Sequence, residues 1–450
     1  MVKTDRIAGF FIILAGLYYS WNAYVIPVRA DEAFLFLKST GYSWHTIAPA
    51  SIMEFIIKGF TLLDSTSLNL RMPSIIFVSL SALLIFQHTF FLAGRNGAWF
   101  SMILFFVMPS VTYSYMSASS PSLFIFAAAL YIYSMYMVQD EKDAHIKYYI
   151  WASIAQFLLI STHYTGILFI ILPFIYLFFN KELIKNKKYM ITAILGVCYT
   201  VILFLLHFLN VFEFFYKYPI YVTEKNLFIY LLLFIVYMPF FYIIFIAVKD
   251  RKIDDKVKFL FVSSVFLCVF SILFNLNPVH DIRFTAAFMV PAVILAGYFY
   301  EMYGYKILLA FITTIFVLVS AYTNISKTSE LTPKYMENTR LYESIRLSIQ
   351  DLVSYGDSIY SFYAGLSSVL VYNSFPFLEA CTLDECKGNA GVFISTKKEE
   401  NLDKYFHEVK EVNIYRAMSL ERKEITKLYF YTVNGLKTEH NKNNKFYVMP

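Results

Sequence analysis

Long uncharged apolar runs, each ended by a short cluster of charges, organise roughly the first three quarters of the chain. A hydrocarbon core about 30 Å thick needs about 20 apolar residues per crossing helix. Runs near that size fall at residues 7–26, 72–93, 98–115, 122–138, 189–209, 227–248, 259–274, 284–300 and 307–322. The 31-residue stretch 149–179 is too long for one helix, and both flanks are basic: Lys142 and Lys147 before it, Lys181, Lys185, Lys187 and Lys188 after it. Excess Lys and Arg mark the cytoplasmic side, so both ends belong inside. Two short crossings joined at Ser161-Thr162-His163-Tyr164-Thr165-Gly166 satisfy them. The pattern predicts an α-helical polytopic membrane protein with about 11 transmembrane helices.

The first run follows Lys3 and Arg6 as a signal peptide would, but it is too long and too aromatic for a usual signal core and reads as a retained anchor. With the N-terminus cytoplasmic, an odd number of crossings leaves the tail outside. Residues 27–71 and 210–226 then form the two longer external segments. The last 125 residues hold 32 charges, about the soluble norm of a quarter. Leu341, Ile345, Ile349 and Leu352 recur at helical spacing, and short runs at 359–363, 369–372, 392–395 and 428–433 look like strands. The expected organisation is a transmembrane domain over 1–325, carrying an external loop at 27–71, and a small extracytoplasmic α/β domain over 326–450.

Composition agrees with the pattern. Hydrophobic residues make up 58% and charged residues 16% of the 450-residue chain, against roughly 45–50% and roughly 25% in ordinary globular domains. The formal charge of +6 lies wholly before residue 326, where 22 Lys/Arg face 16 Asp/Glu; the tail holds 16 of each. On the predicted topology the cytoplasmic ends carry 15 Lys/Arg and 9 Asp/Glu, and the external loops before the tail carry 7 of each. The excess therefore orients the protein and identifies no partner. It excludes a nucleic-acid binder, whose basic residues would gather on a soluble face, and the hydrophobic content excludes a disordered chain. Cys381 and Cys386 flank a four-residue polar loop in the part placed outside, where disulfides persist, so they are either a bridge or two free thiols. Cys198 and Cys268 lie in apolar runs as small core residues.

Ionisable groups kept near a membrane are costly and invite a functional hypothesis. Here they gather on the predicted outer face. Asp31 and Glu32 follow the first helix, and a partly desolvated carboxylate there suits a general base for a hydroxyl; the same pair also suits a solvated helix start. Arg71 precedes the second crossing, where its planar fork fits phosphate or its stem snorkels to headgroups. His280, Asp281 and Arg283 form a second cluster before an inward crossing, and His163 sits at the apex of the short hairpin. Three basic side chains beside an acidic pair suggest an anionic lipid headgroup bound next to a carboxylate. Aromatic residues reach 20%, but Tyr and Trp gather at membrane interfaces and Phe faces lipid. Among them only Tyr42, Trp44 and Tyr164 lie close enough to the charged outer segments to serve as sugar or acceptor contacts. No GxxxxGK[ST], GxGxxG, HExxH or GxSxG motif is present, so any energy for chemistry comes from an activated lipid or from nothing.

These residues resemble a known family. Asp31-Glu32 after the first helix, the stretch Ala48-Pro49-Ala50-Ser51-Ile52-Met53-Glu54-Phe55 and above all Arg71-Met72-Pro73-Ser74 are similar to the lipid-dependent C-type glycosyltransferases (GT-C fold) of the protein O-mannosyltransferase and aminoarabinose transferase superfamily. Thr162-His163-Tyr164-Thr165-Gly166 is similar to a THYxG hairpin in bacterial members, and Arg283-Phe284 with Pro291 resembles an RYxxxxxP helix start. The resemblance covers about residues 7–300. Two positions depart from it: the turn 116–122 has no charge, and His45 stands three residues before the Ala48-Pro49 pair.

The resemblance implies an inverting transferase that moves a sugar from a polyprenyl-phosphate donor to an acceptor hydroxyl on a glycan, lipid or protein, at the extracytoplasmic face of the cell (inner or plasma) membrane. It implies Asp31 as the base, Glu32 orienting it or holding the acceptor, and Arg71, His163 and Arg283 on the donor phosphate; Tyr42, Trp44, Tyr164, His280 and Asp281, by their place on the predicted outer face, are the candidate sugar or acceptor contacts. The residues fix no cofactor; a divalent metal on Asp31, Glu32 and His45 is an option they leave open. Two other classes compete. A flippase would use the same basic face to carry a lipid-linked anion, although transporters tend to hold their polar groups near the midplane. A passive anchor would leave function to the tail.

Overall fold

The computed structural model describes residues 3–25, 52–61, 67–115, 118, 120–140, 145–217, 241, 255–275, 285–302, 358–361, 378–380, 391–395, 406–416 and 423–433. Two compact units divide the chain: Met1–Ala23 with Trp44–Thr323, and Tyr24–Ser43 with Asn324–Pro450.

The first unit is helical. Its described α-helices are α1 (Lys3–Val25), α2 (Ile52–Thr61), α3 (Ser67–Ala93), α4 (Arg95–Val107), α5 (Pro109–Tyr115), α6 (Ser120–Asp140), α7 (Ile146–Thr162), α8 (Ile167–Phe179), α9 (Lys187–Lys217), α10 (Asp255–Asn275) and α11 (Thr285–Met302). Among the described residues α3, α6 and α11 are long and apolar enough to cross a membrane, and 6–21, 167–179 and 257–272 form shorter apolar helices. The expected crossings at 227–248 and 307–322 lie outside the described residues.

Its surface is that of a membrane protein. On α1, Ala8, Ile12 and Tyr19 turn inward at helical spacing while Phe10, Ile13, Leu17 and Trp21 are more than 60% exposed. An apolar outer stripe of that size has no place in water. The interior, conversely, holds hydroxyls that bond back to their own helix, such as Ser81 Oγ to the Phe77 carbonyl (2.7 Å) and Thr89 Oγ1 to Ile85 (2.9 Å). Those bonds are how a serine or threonine remains satisfied inside an apolar helix.

Four sequence expectations change. The run 98–115 is not one crossing: α4 ends at Val107, Met108 is extended (φ −63°, ψ 129°), and α5 starts at Pro109. Proline pushes its predecessor out of the helical region and then fits the first position of a new helix, and a hydropathy average passes over both. The segment 27–71, expected as an external loop, contains the amphipathic α2, with Met53 and Ile57 buried, and the first turn of α3. The segment 210–226 is partly helix, since α9 runs on to Lys217. Arg71 is not at the edge of α3 but inside it and fully buried, so it does not snorkel to headgroups. The predicted hairpin in 149–179 forms as α7, a 3-10 turn at Tyr164–Gly166, and α8.

The helices meet at close quarters. Phe124 of α6, Phe169 of α8 and Phe288 of α11 pack with ring centroids 5.7–5.9 Å apart. Helices α4 and α11 touch through glycine. A Cβ on Gly97 would lie 2.6 Å from the Gly297 carbonyl oxygen; one on Gly297 would lie 2.5 Å from the Gly97 oxygen and collide with Ser101 Oγ, which donates to the Val293 carbonyl at 2.9 Å. Small residues allow membrane helices this approach. Gly297→Val is therefore expected to lose ~3 kcal/mol or more, beyond ordinary overpacking because backbone is struck on both sides. Thermal unfolding of the purified variant measures it, and an unchanged midpoint would show that the two helices do not approach this closely.

The second unit contains a five-stranded mixed sheet in the order β2-β1-β3-β5-β4, with β1 Ser358–Ser361, β2 Leu378–Ala380, β3 Gly391–Ser395, β4 Phe406–Arg416 and β5 Lys423–Val433. Strands β2 and β3 flank β1 in parallel, with Ile359 opposite Leu378 and Val392, while β5 joins β3 and β4 antiparallel. Alternation in Leu428-Tyr429-Phe430-Tyr431-Thr432-Val433 suits a strand. The expected helix at 341–352 and the pair Cys381 and Cys386 lie outside the described residues, among which no disulfide occurs; Cys268 is a buried free thiol as expected, whereas Cys198 is a free thiol on the exposed face of α9 and not a core residue.

Candidate active site

Arg71 and His163 are the predicted site residues whose side chains are described. Arg71 lies on the second turn of α3 with no exposed surface. One turn on, Ser74 accepts a hydrogen bond from Ser122 Oγ (3.0 Å) in the first turn of α6. Both hydroxyls are buried, so this contact locks the beginnings of the two helices together. Two residues along α6, Phe124 meets the His163 ring edge-on with centroids 6.0 Å apart. The chain of contacts therefore brings Arg71 and His163 to one end of the helical unit. The same Phe124 packs on Phe288, in the first turns of α11.

The hairpin explains why His163 is held firmly. It caps α7 in an extended conformation, its N–H donating to the Leu159 carbonyl at 3.2 Å. Its Nδ1 takes the Thr165 N–H (3.3 Å) and lies 2.7 Å from Thr165 Oγ1. Because the backbone N–H can only donate, Nδ1 is the acceptor and the ring proton sits on Nε2. Gly166 makes the turn tight enough: a Cβ there would come 2.5 Å from the Leu159 carbonyl oxygen.

Beside this end, Tyr115 is fully buried, stacks on Tyr19 of α1 (4.1 Å, 7°) and lies 3.1 Å from Ser79 Oγ. The stack ties α1 to the core. The serine clasp and the tyrosine stack are invisible as motifs; the nearest sequence signal was the serine of Arg71-Met72-Pro73-Ser74.

Tyr164 belongs to the 3-10 turn. Asp31, Glu32, Tyr42, Trp44, His45, His280, Asp281 and Arg283 lie outside the described residues. Among the described residues no group of three or more His, Cys, Asp or Glu could hold a metal. This end holds a buried guanidinium and an imidazole whose Nδ1 accepts from Thr165, group types that suit an anionic oxygen.

The helical unit has the membrane fold that the sequence resemblance implied. Residues 49–207 match the family described as Dolichyl-phosphate-mannose-protein mannosyltransferase. The fold is that of ArnT from Cupriavidus metallidurans: the crystal structure bound to undecaprenyl phosphate aligns with TM-score 0.62 at 11% identity, over 97% of this chain and 99% of that one. The apo structure of the same protein aligns with TM-score 0.60 at 11% identity, over 94% and 97%. No curated protein sequence matches the chain.

Proposed function

We propose that the protein is an inverting glycosyltransferase that moves a sugar from a polyprenyl-phosphate donor to an acceptor hydroxyl at the extracytoplasmic face. The observation that carries the reading is the buried Arg71 held at one helix end with His163 by the Ser74–Ser122 contact and Phe124. The family match over 49–207 and the ArnT fold support the same class, and ArnT has been crystallised with undecaprenyl phosphate. In this reading, Arg71, His163 and Arg283 hold the donor phosphate, where negative charge grows as the sugar leaves; preorganised donors stabilise such charge best. Asp31 takes the proton of the attacking hydroxyl and Glu32 orients it. Inversion follows, because one displacement at the anomeric carbon exchanges its faces.

The sheet at 358–433 is read as part of an extracytoplasmic α/β domain, which the tail's even charge balance supports. Membranes containing the protein are expected to consume one radiolabelled polyprenyl-phosphate sugar and to release polyprenyl phosphate. If no such donor is consumed while a lipid-linked anion crosses proteoliposomes, the flippase reading takes its place.

A further inference from the structure

The seam between α7 and α9 carries a groove unrelated to the candidate active site. The two helices run side by side in the same direction: Lys188 lies over the Tyr149 ring (5.8 Å) near their starts, and Phe157 meets Tyr199 edge-on (5.7 Å) further along. Between these ends a cavity of about 560 Å3 is lined by isoleucines, among them Ile150, Ile154 and Ile191, each about half exposed. That volume is within the roughly 300–1,000 Å3 of ordinary ligand sites. Among its few polar groups, Thr192 donates its hydroxyl to the Lys188 carbonyl (3.1 Å) and Ser153 contributes a second small hydroxyl, so the wall is mostly apolar.

We propose that this groove binds one anionic phospholipid, with an acyl chain along the seam and the phosphate at Lys188. Length argues for a lipid of a single leaflet. From Ile146 to Phe157, and likewise from Lys188 to Tyr199, the groove runs along twelve residues, about 16 Å of helix at a rise of ~1.5 Å per residue. Half of a ~30 Å hydrocarbon core is about 15 Å. Charge argues for an anionic headgroup. Lys188 is exposed and lies above Tyr149, whose hydroxyl accepts from Asn186 Nδ2 at 3.2 Å, so the ammonium stands over a fixed ring at the groove's mouth. Lys181, Lys185 and Lys187 stand nearby in sequence on the same basic rim, the one that the flanking charges place in the cytoplasm. An apolar trough ending in one placed cation fits a lipid tail with an anionic head, and fits neither a water-soluble anion nor a zwitterion as well.

Native mass spectrometry of the purified full chain with phosphatidylglycerol, or with phosphatidylcholine of the same acyl chains, tests this. Wild type is expected to retain phosphatidylglycerol about fivefold more, the worth of one basic side chain at an anionic lipid surface. Lys188→Gln should abolish the preference, Lys188→Arg should keep it, and Ser153→Trp, which fills the groove, should lower the retention of both lipids. Lys181→Gln, on the rim but off the groove lining, should leave binding unchanged, and inorganic phosphate should not compete. Equal retention of the two lipids by wild type, or a preference that survives Lys188→Gln, would overturn the proposal. So would competition by inorganic phosphate, or retention of polyprenyl phosphate in place of phosphatidylglycerol.

Discussion

Asp31→Asn protein is expected to bind its lipid-linked donor as wild type does and to transfer the sugar about 10²–10⁴ times more slowly. General-base assistance contributes that range, equal to about 2.7–5.5 kcal/mol of barrier at ~1.36 kcal/mol per decade. Asparagine keeps the size of the side chain and one carbonyl oxygen but cannot take a proton. The loss should therefore fall on kcat, with donor affinity preserved, because the role proposed for the carboxylate is on the acceptor hydroxyl and not on the phosphate. Single-turnover transfer and donor binding on the same purified preparation separate the two quantities. Wild-type turnover by Asp31→Asn would remove Asp31 as the base, and equal loss of donor binding would move it to the donor subsite.

Arg71→Lys carries the second large effect. Lysine keeps the positive charge but replaces a planar fork with a point donor on a flexible stem. Each hydrogen bond to a charged group is worth ~1.5–3 kcal/mol, so loss of one member of a bidentate pair should lower kcat/KM about 10- to 150-fold. The fork is buried and α3 is fixed to α6 through Ser74 and Ser122, so the lysine has no freedom to recover the geometry. The effect should appear with polyprenyl phosphate alone as weaker binding, while thermal stability changes far less than in Gly297→Val. Kinetics and product-lipid affinity matching wild type would show Arg71 to be a packing residue and not a phosphate ligand.

Much of the helical unit was readable along the chain because the membrane imposes a one-dimensional rule: apolar length sets a crossing and flanking Lys and Arg set its side. The hairpin in 149–179 followed from that rule alone, since no single helix could satisfy two basic ends. The rule fails where hydropathy is silent. Met108 and Pro109 leave the apolar run intact yet break the helix, and α2 sits in a segment read as an external loop because Met53 and Ile57 needed a neighbour, α3, before they counted as a buried face. In the site, the residue types were legible and their company was not. Arg71 stood next to a crossing in sequence, and either headgroup contact or ligand binding was consistent with that.

By itself the sequence determined the class: a helical membrane chain, its orienting charges, and the family-like Arg71-Met72-Pro73-Ser74 and Thr162-His163-Tyr164-Thr165-Gly166. Only tertiary structure decided that Arg71 is enclosed, that the Ser74–Ser122 bond and Phe124 bring it to the same end as His163, and that Thr165 leaves the imidazole proton on Nε2. The physical reason is that burial and hydrogen-bond direction belong to pairs of segments far apart in the chain. Hydropathy and charge are properties of one segment at a time.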